Sequence, residues 1–280
     1  NVILENVGEH NVEAIDVQAE IVGIEPTLFN VAANQITIEQ LDMGLRGASK
    51  LPDGTSVPGD PTTLFFPTDE GTAEAFAYLP NLMGTDEILL RAELCYKYMT
   101  YSTTHICIKD NVLDNLQSDK ICSVSEDKMP QNSGAPIHIS SVRQMPQGKH
   151  NSVVIFTVEH VGSGLFFNPH VDDSIDAECN DILHNPDENV VWVEAYFDDV
   201  GGSYVPPEIH CGVLRGQAAG KVHLFQGEPR EISCTIYGDG TQSRIYQDLL
   251  HIDLTYQYLS FLETPLIVRD MKTEDYDWEP

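Results

Sequence analysis

A segment near the middle of this 280-residue chain recurs near its end without a gap. Residues 91–109 read RAELCYKYMTYSTTHICIK and residues 251–269 read HIDLTYQYLSFLETPLIVR, at a constant offset of 160. Leu94, Tyr96, Tyr98 and Thr104 fall on Leu254, Tyr256, Tyr258 and Thr264, and Glu93/Asp253, Thr100/Ser260, Tyr101/Phe261 and Ile108/Val268 are conservative exchanges. A chain that repeats itself at this distance is built from two related units. Within each copy the leucine and two tyrosines alternate at period two, so they share one face of a β-strand. A second apolar run follows, Ile106–Ile108 and Leu266–Val268, and the expectation is a hairpin of two strands in each copy.

A weaker echo marks the beginnings of the units. Glu5, one residue and Val7-Gly8 correspond to Glu159, His160 and Val161-Gly162, at an offset of 154. Between the echoes, residues 110–133 are polar, and Gly134-Ala135-Pro136 opens a new strand. The expected organisation is therefore a sandwich over 1–115, a connector over 116–133, a second sandwich over 134–270 and an acidic tail over 271–280. Turn-rich spacing of short alternating runs and the lack of a capped period-3.6 stripe make the fold class all-β, as two tandem immunoglobulin-like β-sandwich domains. One strand is legible in detail: Val191, Val193, Ala195 and Phe197 form an apolar face, and Trp192, Glu194 and Tyr196 form the other.

The chain carries 44 acidic and 15 basic residues, a net charge of −29. That excludes nucleic acid and an anionic membrane surface as main partners. The charge reads first as solubility or adaptation to salt. Its functional alternative is calcium, a hard ion held by several oxygens, with Asp172, Asp173, Asp176 and Glu178 in one loop and Asp198-Asp199 in another. Neither cluster has a recognised calcium-loop spacing.

Six cysteines are present and none lies in a CxxC or zinc-like set. Cys95 and Cys107 stand symmetrically about Tyr101, so the expected hairpin would bring them together as a cross-strand disulfide. Cys211 and Cys234 flank a second expected hairpin turning near residues 226–229. Cys122 and Cys179 remain as a third pair by elimination. The alternative is six buried thiols in a reducing compartment. The chain starts without methionine, which is read as removal of an upstream stretch such as a signal peptide or a membrane anchor. No apolar run reaches the length of a membrane span, and no Asn-x-Ser/Thr acceptor occurs. Together these point to an exported protein, with any membrane attachment through a removed N-terminal anchor.

The segment ENVGEHNVEAIDVQAEI (5–21) resembles the start of cell-adhesion-related β-sandwich domains of prokaryotic surface proteins, where an Asn-x-Gly turn joins the first two strands. The ordered set CYKYMT (95–100), ICI (106–108), GAPIHISSV (134–142), VIFTVEHVG (154–162), HLFQGE (223–228), ISC (232–234) and PLIV (265–268) is similar to secreted or membrane-anchored archaeal surface proteins. In that resemblance a transmembrane segment precedes paired immunoglobulin-like domains, and no enzymatic role is implied. His160 stands where the second unit would carry the asparagine.

No GxSxG elbow, HExxH, Walker or dinucleotide fingerprint occurs. His105, His138, His150, His160, His170 and His223 read as structural histidines in or near strands, and the chain is expected not to be an enzyme. The repeated tyrosines read as framework. Phe65-Phe66, Phe166-Phe167 and Trp192 are the better contact surfaces. The expectation is an extracellular structural protein, a subunit of a filament, surface layer or adhesive appendage, whose partner is itself or another surface protein. Val2 and Leu4, near the terminus, would add a strand to a neighbouring subunit. The alternative is a cell-surface binding module for carbohydrate or a protein, with calcium; an exported hydrolase ranks third.

Overall fold

The computed structural model describes residues 1–68, 75–113, 121–169, 187–199, 201, 204–238 and 245–269. Among these the chain is all-β, 55% strand and 6% helix, in several antiparallel sheets. The strands are β1 (Val2–Leu4), β2 (Val17–Val22), β3 (Thr37–Ile38), β4 (Ser49–Lys50), β5 (Ser56–Val57), β6 (Thr62–Leu64), β7 (Thr85–Lys109), β8 (Glu126–Lys128) and β9 (Gln131–Asn132). They continue as β10 (Ile137–Gln147), β11 (Asn151–His160), β12 (Leu165–Phe167), β13 (Val190–Phe197), β14 (Glu208–Cys211), β15 (Ala219–His223), β16 (Arg230–Tyr237) and β17 (Ile245–Arg269).

The repeated segments are not hairpins. Each is part of one continuous strand of 25 residues, β7 and β17. The stretch Thr100-Tyr101-Ser102-Thr103-Thr104 carries no glycine, proline, asparagine or aspartate to make a turn, and threonine and tyrosine favour a pleated strand. In the other copy Pro265 lies in the exposed end of β17, where strands tolerate proline. The compact units differ accordingly from a tandem division. Unit 1 comprises Asn1–Asn6, Asn11–Tyr96 and Leu259–Pro280, and unit 2 comprises Val7–His10 and Lys97–Tyr258. The expected boundary at 116–133 falls inside unit 2, because both long strands contribute to each unit.

In unit 1 the strand order is β17-β7-β2-β3, beside two small ribbons, β1–β6 and β4–β5. Alternation along β2 buries Val17, Ala19 and Ile21 and leaves Gln18, Glu20 and Val22 half-buried. Ile21, Phe29, Val31 and Ile36 form a core cluster, and Val2, Phe66, Ala92 and Leu266 pack against it.

Unit 2 has two sheets, β15-β13-β17-β7 with β9 and β12 attached, and β14-β16-β11-β10-β8. Their inner rows are fully apolar in places: Val191, Val193 and Ala195 on β13, Val154, Phe156 and Val158 on β11. Polar side chains bridge the two sheets where apolar ones would leave main-chain groups unmatched. Fully buried Gln144 accepts from Cys107 N–H (3.0 Å) and donates to Cys107 C=O (2.8 Å) and Ser152 Oγ (3.1 Å). Thr100 Oγ1 donates to Ile137 C=O at 2.7 Å and lies 3.0 Å from Tyr256 Oη. Asn132 clamps the main chain of Ile139 through both amide atoms, beside the register shift in β10.

Cys107 is bonded to Cys122 rather than to Cys95. With no turn at Tyr101, Cys95 and Cys107 sit roughly 40 Å apart along one strand at about 3.3 Å per residue. The Cys107–Cys122 bond instead ties Cys122 to the end of β7, in a cluster with Val112, Val124 and Ile245. Cys211 is bonded to Cys234 and directly paired with it in register. The two do not flank a simple hairpin, since the intervening β15 belongs to the other sheet. Cys95 is also disulfide-bonded. Cys179 lies outside the described residues.

The two sequence echoes meet in unit 2. The Tyr98 hydroxyl accepts from His10 N–H at 3.3 Å and points to Gly134 C=O at 3.5 Å. The Tyr258 hydroxyl accepts from Gly164 N–H at 2.8 Å and lies 3.1 Å from His160 Nε2. His10 and Gly164 each follow the echo glycine, Gly8 or Gly162, by two residues, so one dock is built twice. Both glycines are required by close approach. A Cβ on Gly8 would stand 2.0 Å from Tyr98 Oη, and one on Gly162 would stand 2.2 Å from Tyr258 Oη. Tyr256 lies between the docks, with ring centroids 6.3 Å from Tyr98 and 6.2 Å from Tyr258.

Gly8→Ala and Gly162→Ala should each lower stability by about 1–3 kcal/mol through overpacking, read as a shift of the denaturant midpoint. Burial holds His160 below its ordinary value, which favours the neutral ring beside the Tyr258 hydroxyl. The unfolded chain then binds more protons, and stability should fall as pH drops through the ordinary histidine range. His160→Asn, which installs the residue of the other copy, should flatten that limb in a pH series of melting temperatures; an unchanged slope would contradict the assignment.

Candidate functional site

Unit 1 holds a half-open cavity of about 160 Å³ between the β1–β6 ribbon and the sheet formed by β2, β7 and β17. Its origin is legible in the strand faces. Ala19 pairs with Leu94 and Ile21 with Ala92 across β2 and β7, so two alanines occupy inward positions whose neighbours are larger. Val2, Leu4 and Phe66 form the opposing wall, and Ser260 and Leu262 of β17 complete the lining. Ser260 Oγ lies 3.3 Å from Tyr96 Oη, which places a side-chain hydroxyl pair at the β17 side. Burial raises the Tyr96 hydroxyl above the ordinary phenol value, so it stays protonated and neutral. Ile3 and Leu262, 71% and 69% exposed, border the opening.

Glu20, Glu93 and Phe261 also contribute to the lining. Strand alternation turns their side chains to the other face of the sheet, which leaves their main chain for the cavity wall. On that other face Glu20 is directly opposite Glu93, a like-charge pair on half-buried positions. Arg91 Nε holds Glu93 at 2.9 Å, Arg91 reaches Glu263 at 3.9 Å, and its guanidinium stacks 3.9 Å over the Phe261 ring. Burial, reinforced by Glu93, raises the Glu20 carboxyl above its ordinary value.

Unit 2 carries a second polar constellation on the outer faces of β13 and β17. Tyr196 stacks on His251 with centroids 5.1 Å apart and planes 13° from parallel. His251 Nε2 lies 3.1 Å from Asp198, Tyr196 Oη donates to Asp253 at 3.1 Å, and Glu194 is in register with Asp253. Burial, then the Asp253 charge, pushes the Tyr196 hydroxyl up to about 12. Burial raises Asp253 as well. Tyr196 and His251 are both half-buried in this arrangement.

Other expected site residues find different places. Val2 and Leu4 are paired with Leu64 and Thr62 of β6 in their own unit, and Leu4 is buried; the strand expected to reach a neighbour is already committed. Asp172, Asp173, Asp176 and Glu178 lie outside the described residues. Asp198 holds His251, and Asp199 accepts from Gly201 N–H at 2.9 Å. Among the described residues no group of three or more His, Cys, Asp or Glu side chains is arranged to hold a metal. Phe166 and Phe167 are core residues, Trp192 is half-buried, and Phe65 is exposed. The cavity escapes a sequence reading because its only signal there is a pair of alanines on otherwise large-residue faces.

No protein-family model, curated protein or solved structure matches the chain.

Glu20→Gln removes one charge of the opposed pair. A carboxyl raised by folding weakens the native state once pH exceeds its folded value, so Glu20→Gln should raise the melting temperature at neutral pH. The gain should vanish below the ordinary carboxylate range. An equal gain at both pH values would show that the charge is not its source.

Proposed function

We propose that this chain is an extracellular structural protein, a subunit of a cell-surface assembly that acts through protein–protein contacts, with immunoglobulin-like sandwiches as its framework. The observation that carries the reading is the apolar surface of unit 1. Ile3 and Leu262 are exposed around one opening, Phe65 is exposed immediately after β6, and Phe261 is exposed on the other face of the sheet. Contiguous exposed apolar side chains mark contact surfaces. The disulfides Cys107–Cys122 and Cys211–Cys234 are consistent with an oxidising compartment, and no described helix is long and apolar enough to cross a membrane. The partner is another copy or another surface protein.

A net charge of −29 opposes association of copies. Salt screens that repulsion, since the Debye length falls from ~30 Å at about 0.01 M to ~3 Å at about 1 M. Sedimentation of the full chain should therefore show oligomers that grow with ionic strength. Leu262→Glu and Ile3→Glu should abolish them while leaving the circular dichroism and melting temperature of the monomer unchanged. A chain that stays monomeric at high concentration across that salt range contradicts self-assembly.

A further inference from the structure

We propose that the cavity of unit 1 is a binding site for a small neutral molecule with an apolar body and one hydroxyl, of the phenol or cyclic-alcohol class. Size sets the first limit. At about 160 Å³ the cavity compares with the ~150 Å³ apolar void that takes up benzene in an engineered core, so a six-membered ring with one substituent fits and a long acyl chain does not. Its walls set the second. Val2, Leu4, Ala19, Phe66, Ala92 and Leu94 offer no polar side-chain atom. A charged head inside would be desolvated without a partner.

Charge discriminates further. An anion would sit against the strands that carry Glu20 and Glu93, in a chain of net charge −29. A cation finds no carboxylate in the cavity, because alternation aims both glutamates at the other face. The remaining polar feature selects for a hydroxyl. Ser260 Oγ has one donor and two lone pairs, and Tyr96 Oη engages it from one side at 3.3 Å. A ligand hydroxyl placed beside Ser260 adds a partner without displacing Tyr96. The opening beside Leu262 and Ile3 gives access without unfolding the core.

Ligand binding is separable from assembly when the test is run on dilute monomer. The full chain is titrated with phenol, cyclohexanol, benzene and benzoate, reading the melting temperature and the methyl resonances of Leu94 and Leu262. Phenol and cyclohexanol should raise the melting temperature by a few degrees in a saturable way and shift both methyl signals; benzoate should do neither. Ala92→Leu fills the void, and should keep or raise the melting temperature while losing at least tenfold in phenol affinity. Ser260→Ala should weaken phenol about tenfold and leave benzene unchanged. Should Ala92→Leu not fold, Ala19→Val serves the same purpose from the facing strand. The proposal is overturned if phenol shifts neither signal in the wild-type chain, if the filled variant binds it equally, or if benzoate binds as well. It is overturned also if the wild type is a dimer that both ligand and Ala92→Leu dissociate, which would place a second copy's side chain in the cavity.

Discussion

A buried tyrosine hydroxyl must find partners, and in unit 2 three of them stand close together. Tyr98, Tyr256 and Tyr258 are all nearly inaccessible. A buried hydroxyl without a partner costs about 1–3 kcal/mol, so the surrounding backbone has to supply donors and acceptors. Thr100 serves Tyr256, and two glycine turns, seated on Tyr98 and Tyr258, serve the others. These turns can approach only because Gly8 and Gly162 carry no Cβ. The position of Val7–His10 in unit 2, far in sequence from Lys97–Tyr258, follows from this constraint: the N-terminal segment is held by the hydroxyl it satisfies.

The same strands explain why the two units differ. In unit 2, β17 pairs along six residues with β13, and β7 faces an opposing sheet that Gln144 ties to the main chain of Cys107. In unit 1 their other halves meet β2 and short ribbons. The outcome there is small inward residues, a void and apolar side chains in contact with solvent. Both the proposed assembly surface and the proposed ligand site are placed in the unit whose own core is least complete.

Much of this was legible in the residues alone. The alternation of Val191, Val193, Ala195 and Phe197 against Trp192, Glu194 and Tyr196 defined β13 with its faces correctly assigned. Both echoes were visible, since they are local patterns compared at a distance. Their meeting was not, because nothing local says that the glycine of one echo packs on the tyrosine of the other. The expected turn at Tyr101 failed for a related reason: a dip in hydrophobicity across Thr100–Thr104 looks like a loop, yet Thr100, Ser102 and Thr104 are buried by an opposing sheet that the local sequence does not reveal. Once the turn is absent, the Cys95–Cys107 pairing and the tandem boundary go with it. The cavity is least legible of all, being an absence of side-chain volume produced by four strands and a loop together.

The fold and its division into units depend on each repeated segment being one uninterrupted strand, locked at its centre by a tyrosine. Residue-resolved amide hydrogen exchange tests this most directly at Tyr101–Thr104, the positions a hairpin would place in a turn. A continuous β7 predicts protection of Ser102 and Thr104 as deep as that of Ile106 and Phe156 in the surrounding core. Rapid exchange across 101–104, with slow exchange on both sides, would show a turn there and contradict the fold, the disulfide pattern and the division of units derived from it.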